Sequence, residues 1–374
     1  MKRALYIGGF IMPDGNAAAQ RVLGIAKVLR CLDYEVRFAG LQHHSRQPES
    51  GTVDVFDYIG YPYPQSPMDW VRYLTGRDYS IDEIKTFKPD LVILYNHPAF
   101  AIERITKFCH KHGIKVIADV TEWYEASGNP VFKAVKGYDI KRRMKKSHLK
   151  LDGLICISRY LTDYYAAKKI PVVNIPPLID RKQSKWHQET DDNSKTIKIV
   201  YAGSPGASKD RLDLILAGLD NQKDDFTFTV IGITHEQYIN TWHDTTIHPY
   251  ARFLGRIPHE EVIRYLLDAD YQIFLRPDTL ANQAGFPTKF VETITSGTLP
   301  ITNLSSNLED FIGGNTKSGA IVIKSLSSKD ITTAIQGALI RSRNELDAMK
   351  SNLDSETFDF NRYVTPVQQF LMEL

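Results

Sequence analysis

The sequence predicts an α/β protein built from two doubly wound, Rossmann-like domains. Short apolar runs alternate with longer amphipathic segments, which is the pattern of parallel strands joined by helices. The alternation fills residues 1–179 and starts again at residue 197, after a polar stretch without periodicity. At 374 residues the chain also exceeds the roughly 250–300 residues that one hydrophobic core usually supports.

The individual elements follow from local periodicity. Residues 17–31 carry apolar side chains at helical spacing, for example Val22 and Ala26, which favours a helix packed on the sheet. The predicted strands are residues 3–8, 35–40, 91–95, 115–120, 153–158 and 172–175 in the first half, and 198–203, 226–232, 251–255, 271–277, 299–302 and 320–323 in the second.

We divide the chain into four segments. Residues 1–179 form the first domain, 180–196 a polar linker and 197–355 the second domain. Residues 356–374 are too aromatic to remain unpacked, so we expect a C-terminal helix that packs back on the first domain. Domains of this kind bind their ligands at the carboxyl ends of the strands, and we expect a cleft there.

The composition is that of an ordinary globular protein, with 43% hydrophobic and 24% charged residues and a net charge of +2. The three cysteines, Cys31, Cys109 and Cys156, are far apart and lack metal-ligand spacing, which indicates reduced thiols in a cytosol. The N-terminus has no signal-peptide pattern, and no apolar run approaches the roughly 20 residues that span a bilayer. We therefore expect a cytoplasmic protein, at most peripheral on the inner face of the cell membrane.

A candidate phosphate site follows the first strand of the second domain. The stretch SPGASKD contains a glycine turn and leads into an amphipathic helix, with Ser208 as a possible N-cap and Lys209 in the first turn. A cation there opposes the helix dipole unless an anion shares the site, so the arrangement suits a diphosphate. The alternative is a surface lysine beside Asp210 and Asp213.

A second candidate lies in FPTKFVETITSGTLPI, residues 286–301. The pattern predicts a helix from about residue 288 to just before Gly297, with Lys289 and Glu292 on the face away from the sheet. A plain surface salt bridge would explain the pair and would contribute under about 1 kcal/mol. Because the helix begins where a strand ends, a ligand is the favoured interpretation, with Lys289 on a phosphate and Glu292 on a ribose diol.

This stretch resembles the nucleotide-sugar motif of GT-B glycosyltransferases of the retaining family 4 type. The first of that family's two glutamates falls on Ala284, where this sequence departs from the pattern. A subgroup of bacterial polysaccharide glycosyltransferases is more similar, with a Pro-Ser/Thr-Lys-x-x-Glu motif that is matched here by Pro287, Thr288, Lys289 and Glu292.

Other segments extend the resemblance along the second domain. The family's phosphate-binding Arg/Lys pair falls on Ser204 and Lys209, so only the lysine is matched, and Arg276 is a further cation without an assigned place. The segment RFLGRIPHEEV resembles the base-recognition loop, which implies that Arg256 and Ile257 lie beside the nucleobase.

The first domain agrees with the same resemblance. Its glycine loop implies that the backbone N–H groups of Gly15 and Asn16 reach the donor phosphates. In VIADVTEWYE, Asp119 and Glu122 follow a strand on the acceptor side, and either carboxylate is a candidate to position the acceptor hydroxyl. The alternative is an exposed loop with local packing.

The resemblance implies a retaining GT-B enzyme whose two Rossmann-like domains face a central cleft. It would transfer a sugar from a UDP- or GDP-sugar to a glycan or lipid-diphosphate-linked acceptor in bacterial surface polysaccharide biosynthesis, with no nucleic acid involved. Lys209 and Lys289 would neutralise the departing diphosphate without an essential metal or other cofactor. The Asp268 and Asp270 pair resembles a metal motif of another fold, but it closes a helix and is predicted to be structural.

Two other functions stay open. A sugar-nucleotide epimerase uses a similar two-domain fold and needs no acceptor. A non-catalytic glycosyltransferase-like partner subunit would explain the departures at Ala284 and Ser204.

The last candidate is a basic run in the first domain. Residues 133–150 are rich in lysine and arginine, and Asp139 is the one acid among them. A solvated helix face is one interpretation. The other is a surface that binds an anionic membrane, since each basic residue near such a surface contributes about 1 kcal/mol.

Overall fold

The computed structural model folds into two compact units. Unit 1 comprises Met1–Ile179, Ala284–Phe286 and Asp359–Leu374, and unit 2 comprises Asp180–Gln283 and Pro287–Phe358. The residues that the structure describes are 1–13, 17–123, 126, 128–188, 196–204, 206, 209–223, 225–312 and 319–374.

Unit 1 is built on an eight-stranded sheet with the order β3-β4-β2-β1-β5-β6-β7-β8, in the part of the chain that is described. All neighbours pair in parallel except β3 and β4, which form an antiparallel hairpin. Its elements are β1 Lys2–Gly8, α1 Ala17–Cys31, β2 Tyr34–Gln42, β3 Glu49–Val53, β4 Phe56–Pro62, α2 Pro67–Leu74, α3 Ser80–Phe87, β5 Leu91–Tyr95, α4 Ala99–Lys111, β6 Lys115–Val120, α5 Pro130–Arg142, a π-helical segment Arg143–Ser147, a 3-10 turn His148–Lys150, β7 Gly153–Cys156, α6 Arg159–Ala166 and β8 Val172–Asn174.

Unit 2 is built on a six-stranded parallel sheet with the order β11-β10-β9-β12-β13-β14 among its described residues. Apolar side chains of α7 and α13 are buried, as the amphipathic pattern requires. The elements are a 3-10 turn Ser184–His187, β9 Ile197–Ala202, α7 Leu212–Leu219, β10 Phe226–Ile231, α8 His235–Trp242, β11 Ala251–Gly255, α9 His259–Asp268, β12 Tyr271–Phe274, α10 Leu280–Ala284, α11 Thr288–Ser296, β13 Leu299–Asn303, α12 Glu309–Ile312, β14 Ile321–Ile323, α13 Ser328–Leu339 and α14 Arg343–Ser351.

The predicted fold class, two Rossmann-like α/β domains, is confirmed. Every strand predicted from an apolar run is present, whereas β3 and β4 were missed. The reason is local: β3 is a largely exposed edge strand, and β4 has the sequence FDYIGYP, in which buried and exposed positions do not alternate regularly. Neither strand gives the periodicity that identifies a half-buried strand.

The C-terminal segment belongs to unit 1. After a 3-10 turn Phe360–Tyr363, helix α15 Val364–Glu373 buries Val367 and Phe370 in the same core as β1 and α1. Within the range predicted as a polar linker, the short turn around Trp186 buries that side chain in unit 2.

A buried ion pair connects three elements of unit 1. Arg21 on α1 is 3% exposed, and its Nη2 lies 2.9 Å from Oδ1 of Asp119 on β6. The Arg21 Nη1 donates to the carbonyl oxygens of Ile175 and Pro176, and the Tyr6 hydroxyl on β1 donates to Asp119 Oδ2 at 2.6 Å. Burial alone would lower the pKa of Arg21, but Asp119 raises it above its ordinary value.

This arrangement corrects the prediction that Asp119 positions an acceptor hydroxyl. The Asp119 side chain is 0% exposed, and both of its oxygens accept hydrogen bonds from Arg21. A carboxylate so enclosed contacts neighbouring protein groups rather than a substrate. Many site residues lie, like Asp119, at the end of a strand, which is why the sequence suggested a role in binding. Nothing near it in the sequence indicates the pairing with Arg21.

We predict that Asp119→Ala lowers the free energy of unfolding by about 3–5 kcal/mol, because Arg21 is left as a buried charge without its carboxylate. Hydrogen exchange of the β1 and β6 amides measures this within unit 1. Asp57→Ala is the matched control, since Asp57 is exposed on β4 and such changes stay within about 0.5 kcal/mol. Equal stability of the two variants would contradict the structural role.

Candidate functional site

Helix α11 carries Lys289 and Glu292, the two residues predicted to bind the donor phosphate and ribose. It spans Thr288–Ser296, follows Pro287 and ends at Gly297, whose φ of 77° lies in the left-handed region. The predicted bounds are therefore confirmed. Buried apolar residues hold one face of the helix on the sheet, which leaves Lys289 and Glu292 partly accessible on another.

Lys289 lies in a nearly enclosed cluster with Asp210 and Tyr201. Its Nζ is 2.6 Å from Asp210 Oδ2 and 3.2 Å from the Tyr201 hydroxyl, which itself donates to Asp210 Oδ2 at 2.9 Å. The side chains of Lys289 and Asp210 are 13% and 6% exposed. The ammonium also lies 4.4 Å from the centroid of the Tyr201 ring, within cation–π distance. Lys289 is thus held in one place by a carboxylate, a hydroxyl and an aromatic face.

Arg276 belongs to the same charged neighbourhood. Burial lowers the pKa of Lys289, Asp210 opposes that effect, and the positive charge of Arg276 lowers the pKa further. The Arg276 guanidinium is held by Asn282 Oδ1 at 2.6 Å, and its backbone N–H donates to Asn303 Oδ1 at 2.8 Å. The sequence did not predict where Arg276 lies. In the structure its positive charge acts on the pKa of Lys289.

Two glycines make room for this cluster. Gly203 follows β9 with a φ of +147°, and a Cβ there would lie 2.7 Å from Lys289 Nζ. Gly232 follows β10 with a φ of +103°, and a Cβ there would lie 2.1 Å from the Gly203 carbonyl oxygen. Both positions favour glycine: at Gly203 the lysine approaches the backbone, and at Gly232 the backbone of Gly203 does.

Glu292 pairs with His259, a contact that was not predicted. Glu292 Oε1 lies 2.9 Å from His259 Nε2, and the side chains are 25% and 40% exposed. His259 begins α9 directly after the segment with Arg256, which is exposed, and Ile257, which is half-buried. The structure therefore brings together the carboxylate predicted for the ribose and the segment predicted for the nucleobase.

The first-turn position predicted for Lys209 is wrong. Helix α7 begins at Leu212, so Lys209 lies in the preceding turn, where its N–H donates to the Gly206 carbonyl at 2.8 Å. Ser208, the predicted N-cap, lies outside the described residues. The Arg211 N–H, at the N-cap of α7, donates to the Leu275 carbonyl oxygen at 2.8 Å. Lys209 is exposed and Asp210 is the residue turned towards Lys289.

The remaining residues predicted to bind the sugar donor or the acceptor substrate differ in exposure, and two of them are not described. Gly15 and Asn16 lie outside the described residues. Ser204 is exposed just after Gly203, and Glu122 is half-buried two residues after β6. Thr288 is exposed at the first position of α11. Their predicted roles stay predictions.

The basic run is only partly a solvated surface. Arg143 is buried, with Nη1 3.4 Å from the His97 carbonyl oxygen, and Met144 is buried beside it. Arg142 Nε and Lys150 Nζ lie 2.9 Å and 2.7 Å from Glu103. A solvated helix face therefore describes only part of the run, because Arg143 is buried and Arg142 and Lys150 bind Glu103 of unit 1.

An apolar stripe on α5 remains exposed beside the other lysines. Phe132, Val135 and Tyr138 are 53%, 55% and 56% exposed at helical spacing. Apart from Lys150, which is exposed but pairs with Glu103, the exposed cations of the run are Lys133, Lys141, Lys145 and Lys146. We call these seven residues the α5 surface. In the described ranges no helix has the length and hydrophobicity to cross a membrane.

The Asp-x-Asp pair is occupied by cations of the chain itself. Asp268 Oδ1 lies 2.6 Å from Lys198 Nζ, and Asp270 Oδ1 lies 2.5 Å from Arg343 and 3.0 Å from Lys350. These contacts join α9, β9 and α14. Among the described residues no group of three or more His, Cys, Asp or Glu side chains is arranged to hold a metal ion.

Comparison with known protein families gives two adjacent matches. Residues 18–183 match the model of Glycosyltransferase Family 4, and residues 182–354 match the model of Glycosyl transferases group 1. Together the two models account for residues 18–354, which include Lys289, Glu292 and Asp210. No curated protein gives a significant match.

Solved structures resemble the chain over its whole length. One is described as "Trehalose-6-phosphate from E. coli bound with UDP-2-fluoro glucose", with a TM-score of 0.69, 10% identity, and coverage of 100% of this chain and 99% of that chain. The catalytic domain of starch synthase IV from Arabidopsis thaliana, bound to ADP and acarbose, gives a TM-score of 0.72 at 11% identity and 99% coverage of both chains. The lipopolysaccharide outer core galactosyltransferase WaaB gives a TM-score of 0.64 at 14% identity and 99% coverage of both. At these identities the similarity shows the fold.

Proposed function

The chain is a glycosyltransferase of the GT-B fold, and on that basis we propose that it transfers a sugar from a UDP- or GDP-sugar to a glycan or lipid-linked glycan acceptor with retention of configuration. One observation carries the proposal. The enclosed Lys289, the charge of Arg276 and the start of α11 occur together in unit 2. Cations and a helix N-terminus are the groups that bind a diphosphate.

The proposed chemistry depends on charge that develops on the leaving group. As the glycosidic bond breaks, negative charge grows on the departing nucleotide diphosphate, and preorganised cations lower the barrier. A lysine ammonium has three N–H donors. Two of them are directed to Asp210 and Tyr201, which leaves the third for a phosphate oxygen. Asp210 would act as a positioning residue that fixes Lys289 before the donor binds.

The nucleoside would be held by a second group of residues in unit 2. Glu292 would accept hydrogen bonds from the ribose hydroxyls, and Arg256 with Ile257 would border the base. The Glu292–His259 contact supports this part, because it links the two predicted subsites directly. Binding of the ribose would then compete with His259 for the carboxylate.

Further contacts complete the proposal for the donor. Lys209, Ser204 and Thr288, together with the backbone of Gly15 and Asn16, would bind the diphosphate. For retention, the acceptor hydroxyl attacks from the face that the diphosphate leaves, and the leaving phosphate oxygen accepts the hydroxyl proton. Glu122 stays a candidate for holding the acceptor.

A panel of nucleotide sugars tests the proposal directly. A donor held at a hundred times its dissociation constant adds about 2.7 kcal/mol of stability, which a thermal shift detects. We expect stabilisation by one UDP- or GDP-sugar and its slow hydrolysis to free sugar. Interconversion of sugar nucleotides without an acceptor would instead favour an epimerase. Binding with neither hydrolysis nor transfer would favour a non-catalytic partner subunit.

We predict that Lys289→Met and Lys209→Ala each lower turnover about 100-fold, since one lost transition-state charge contact costs about 3 kcal/mol and each 1.36 kcal/mol is about tenfold. Turnover is measured as release of nucleotide from the stabilising donor. Lys289→Met leaves the buried Asp210 carboxylate without its cation, so Lys289→Met/Asp210→Asn is included to restore stability without restoring turnover. Lys223→Ala is the control, because Lys223 is exposed elsewhere in unit 2. Normal turnover in both single variants would refute the phosphate assignment.

We predict that Glu292→Gln weakens nucleotide binding about 10–100-fold, the effect of losing hydrogen bonds from the ribose to a charged group. Calorimetric titration with UDP and GDP measures the dissociation constant of whichever nucleotide binds. Glu236→Gln on the surface of α8 serves as control. An unchanged dissociation constant would remove Glu292 from the ribose site.

We propose that no divalent metal is essential, because lysines, Arg276 and the start of α11 would meet the phosphate charge. Transfer or donor hydrolysis is therefore expected to continue in excess chelator at the rate seen without it. If activity disappears in chelator and returns with magnesium or manganese, the proposal of metal-free catalysis fails.

We propose that the α5 surface binds anionic lipid at the inner face of a bacterial cell membrane, where a surface polysaccharide precursor linked to lipid diphosphate would be available. Its lysines would meet the headgroup charge, while Phe132, Val135 and Tyr138 would enter the interface. The electrostatic part would be screened over about 8 Å at physiological salt.

We predict salt-sensitive binding to vesicles that contain phosphatidylglycerol. The triple change of Lys141, Lys145 and Lys146 to Gln removes about 3 kcal/mol, at about 1 kcal/mol for each charge, and so weakens partitioning about 100-fold. A matched triple change to Gln uses exposed lysines elsewhere in unit 1, namely Lys111, Lys168 and Lys169. Wild-type protein that ignores these vesicles even at low salt would leave the α5 surface as a solvated helix face.

A further inference from the structure

Unit 1 contains a large cavity that the sequence did not predict. It lies where β2 and β4 end, is bordered by α2 and the residues before α3, and has a volume of about 620 Å³. This volume lies within the range of small-molecule sites, about 300–1,000 Å³. No residue of this region was part of the predicted site.

Tyrosines form much of the cavity wall. Tyr61 and Tyr79 stack with their ring centroids 3.7 Å apart and an interplanar angle of 1°. Tyr63 and Tyr73 also line the cavity, and each forms a T-shaped contact with Trp70, with ring centroids 5.5 Å and 6.1 Å apart. Aromatic faces of this kind attract the C–H groups on the faces of a sugar ring, because the π-system is negative there.

Two lining residues have hydrogen-bonding atoms with no partner among the described residues. One Asp78 oxygen accepts from the Ser80 N–H at 3.0 Å, but its Oδ2 is buried without a partner, as is the Tyr79 hydroxyl. Asp69, which lines the same cavity, differs because its carboxylate forms the capping box of α2 with Ser66. Among the lining residues, Asp78 and Tyr79 are thus the ones with a buried hydrogen-bonding atom that lacks a partner.

The charges along the cavity balance. Arg46 and Arg72 are matched by Asp69 and Asp78, so the lining has no excess charge that would select an anion. A ligand with apolar faces, many hydroxyl groups and no net charge fits this lining. Those are the properties of a neutral saccharide.

We propose that this cavity binds a neutral saccharide, with its ring against the tyrosines and its hydroxyl groups bonded to Asp78 and Tyr79. Both polar atoms are buried, so binding includes a small movement that uncovers them. Resting on the proposed function, the saccharide is the acceptor glycan, and the cavity selects it.

Binding of the full chain to an array of neutral and acidic glycans tests this inference without donor. We expect binding to neutral glycans that falls about tenfold or more in Asp78→Asn, which loses a hydrogen bond to a charged group, and about 2–10-fold in Tyr79→Phe, which loses a neutral one. Asn at position 78 retains an oxygen for the Ser80 N–H, and Phe at position 79 retains the stacked ring. Both variants should therefore fold, and circular dichroism melting checks this.

Two control variants match these changes outside the cavity. Asp82→Asn alters an exposed carboxylate on α3, and Tyr34→Phe alters a tyrosine at the opposite end of β2; both should bind glycans like the wild type. Wild-type protein that binds no neutral glycan, binds only acidic ones, or keeps its binding in both cavity variants would overturn the inference.

The outcome is separable from that of the proposed function. Donor hydrolysis depends on unit 2 residues and is expected to be unchanged in Asp78→Asn. Loss of glycan binding with intact hydrolysis supports the cavity as the acceptor site. Cavity-dependent glycan binding in a protein that neither binds nor hydrolyses any nucleotide sugar would support the saccharide site and refute the transferase proposal.

Discussion

A lysine that leaves water needs a carboxylate beside it, and this requirement organises the candidate site of unit 2. Burial disfavours the charged form of Lys289, and Asp210 at 2.6 Å offsets that cost. The pair fixes the turn that precedes α7 against the start of α11. It also explains Gly203, because the ammonium occupies the space that a Cβ would need. The charge, the glycine and the two chain segments are therefore parts of one arrangement.

Much of unit 2 could be predicted because its signals are local. The apolar periodicity of residues 288–296 predicts helix α11, and Lys289 and Glu292 lie three residues apart on it. Asp210 could not be found in this way, since 79 residues separate it from Lys289. Sequence reasoning chose its neighbour Lys209, because a lysine near a glycine turn is a familiar pattern, whereas the acid beside it looked like an ordinary surface residue.

Unit 1 shows the same limit for charged residues. Asp119 and Glu122 have similar surroundings in the sequence, yet Asp119 is enclosed by Arg21, which lies 98 residues away. In the basic run, Glu103 binds Arg142 and Lys150 and lies 39 and 47 residues before them. The sequence gives the number of charged residues but does not show which of them form ion pairs. The cavity near Asp78 was missed because its tyrosines come from β4, from helix α2 and from two loops, and β4 itself gave no strand signal.

Helix α15 has a consequence for how the chain is made. Unit 1 takes its last packed element from residues that follow the whole of unit 2. During synthesis, the hydrophobic surface that α15 covers on α1 and β8 stays open until the roughly 190 codons from Ile179 to Phe370 have been translated. For the same reason, exchanging the first half of this chain with that of a relative would leave the new core without its own matching helix. Each unit has its own core, but residues from both ends of the chain are needed to complete unit 1.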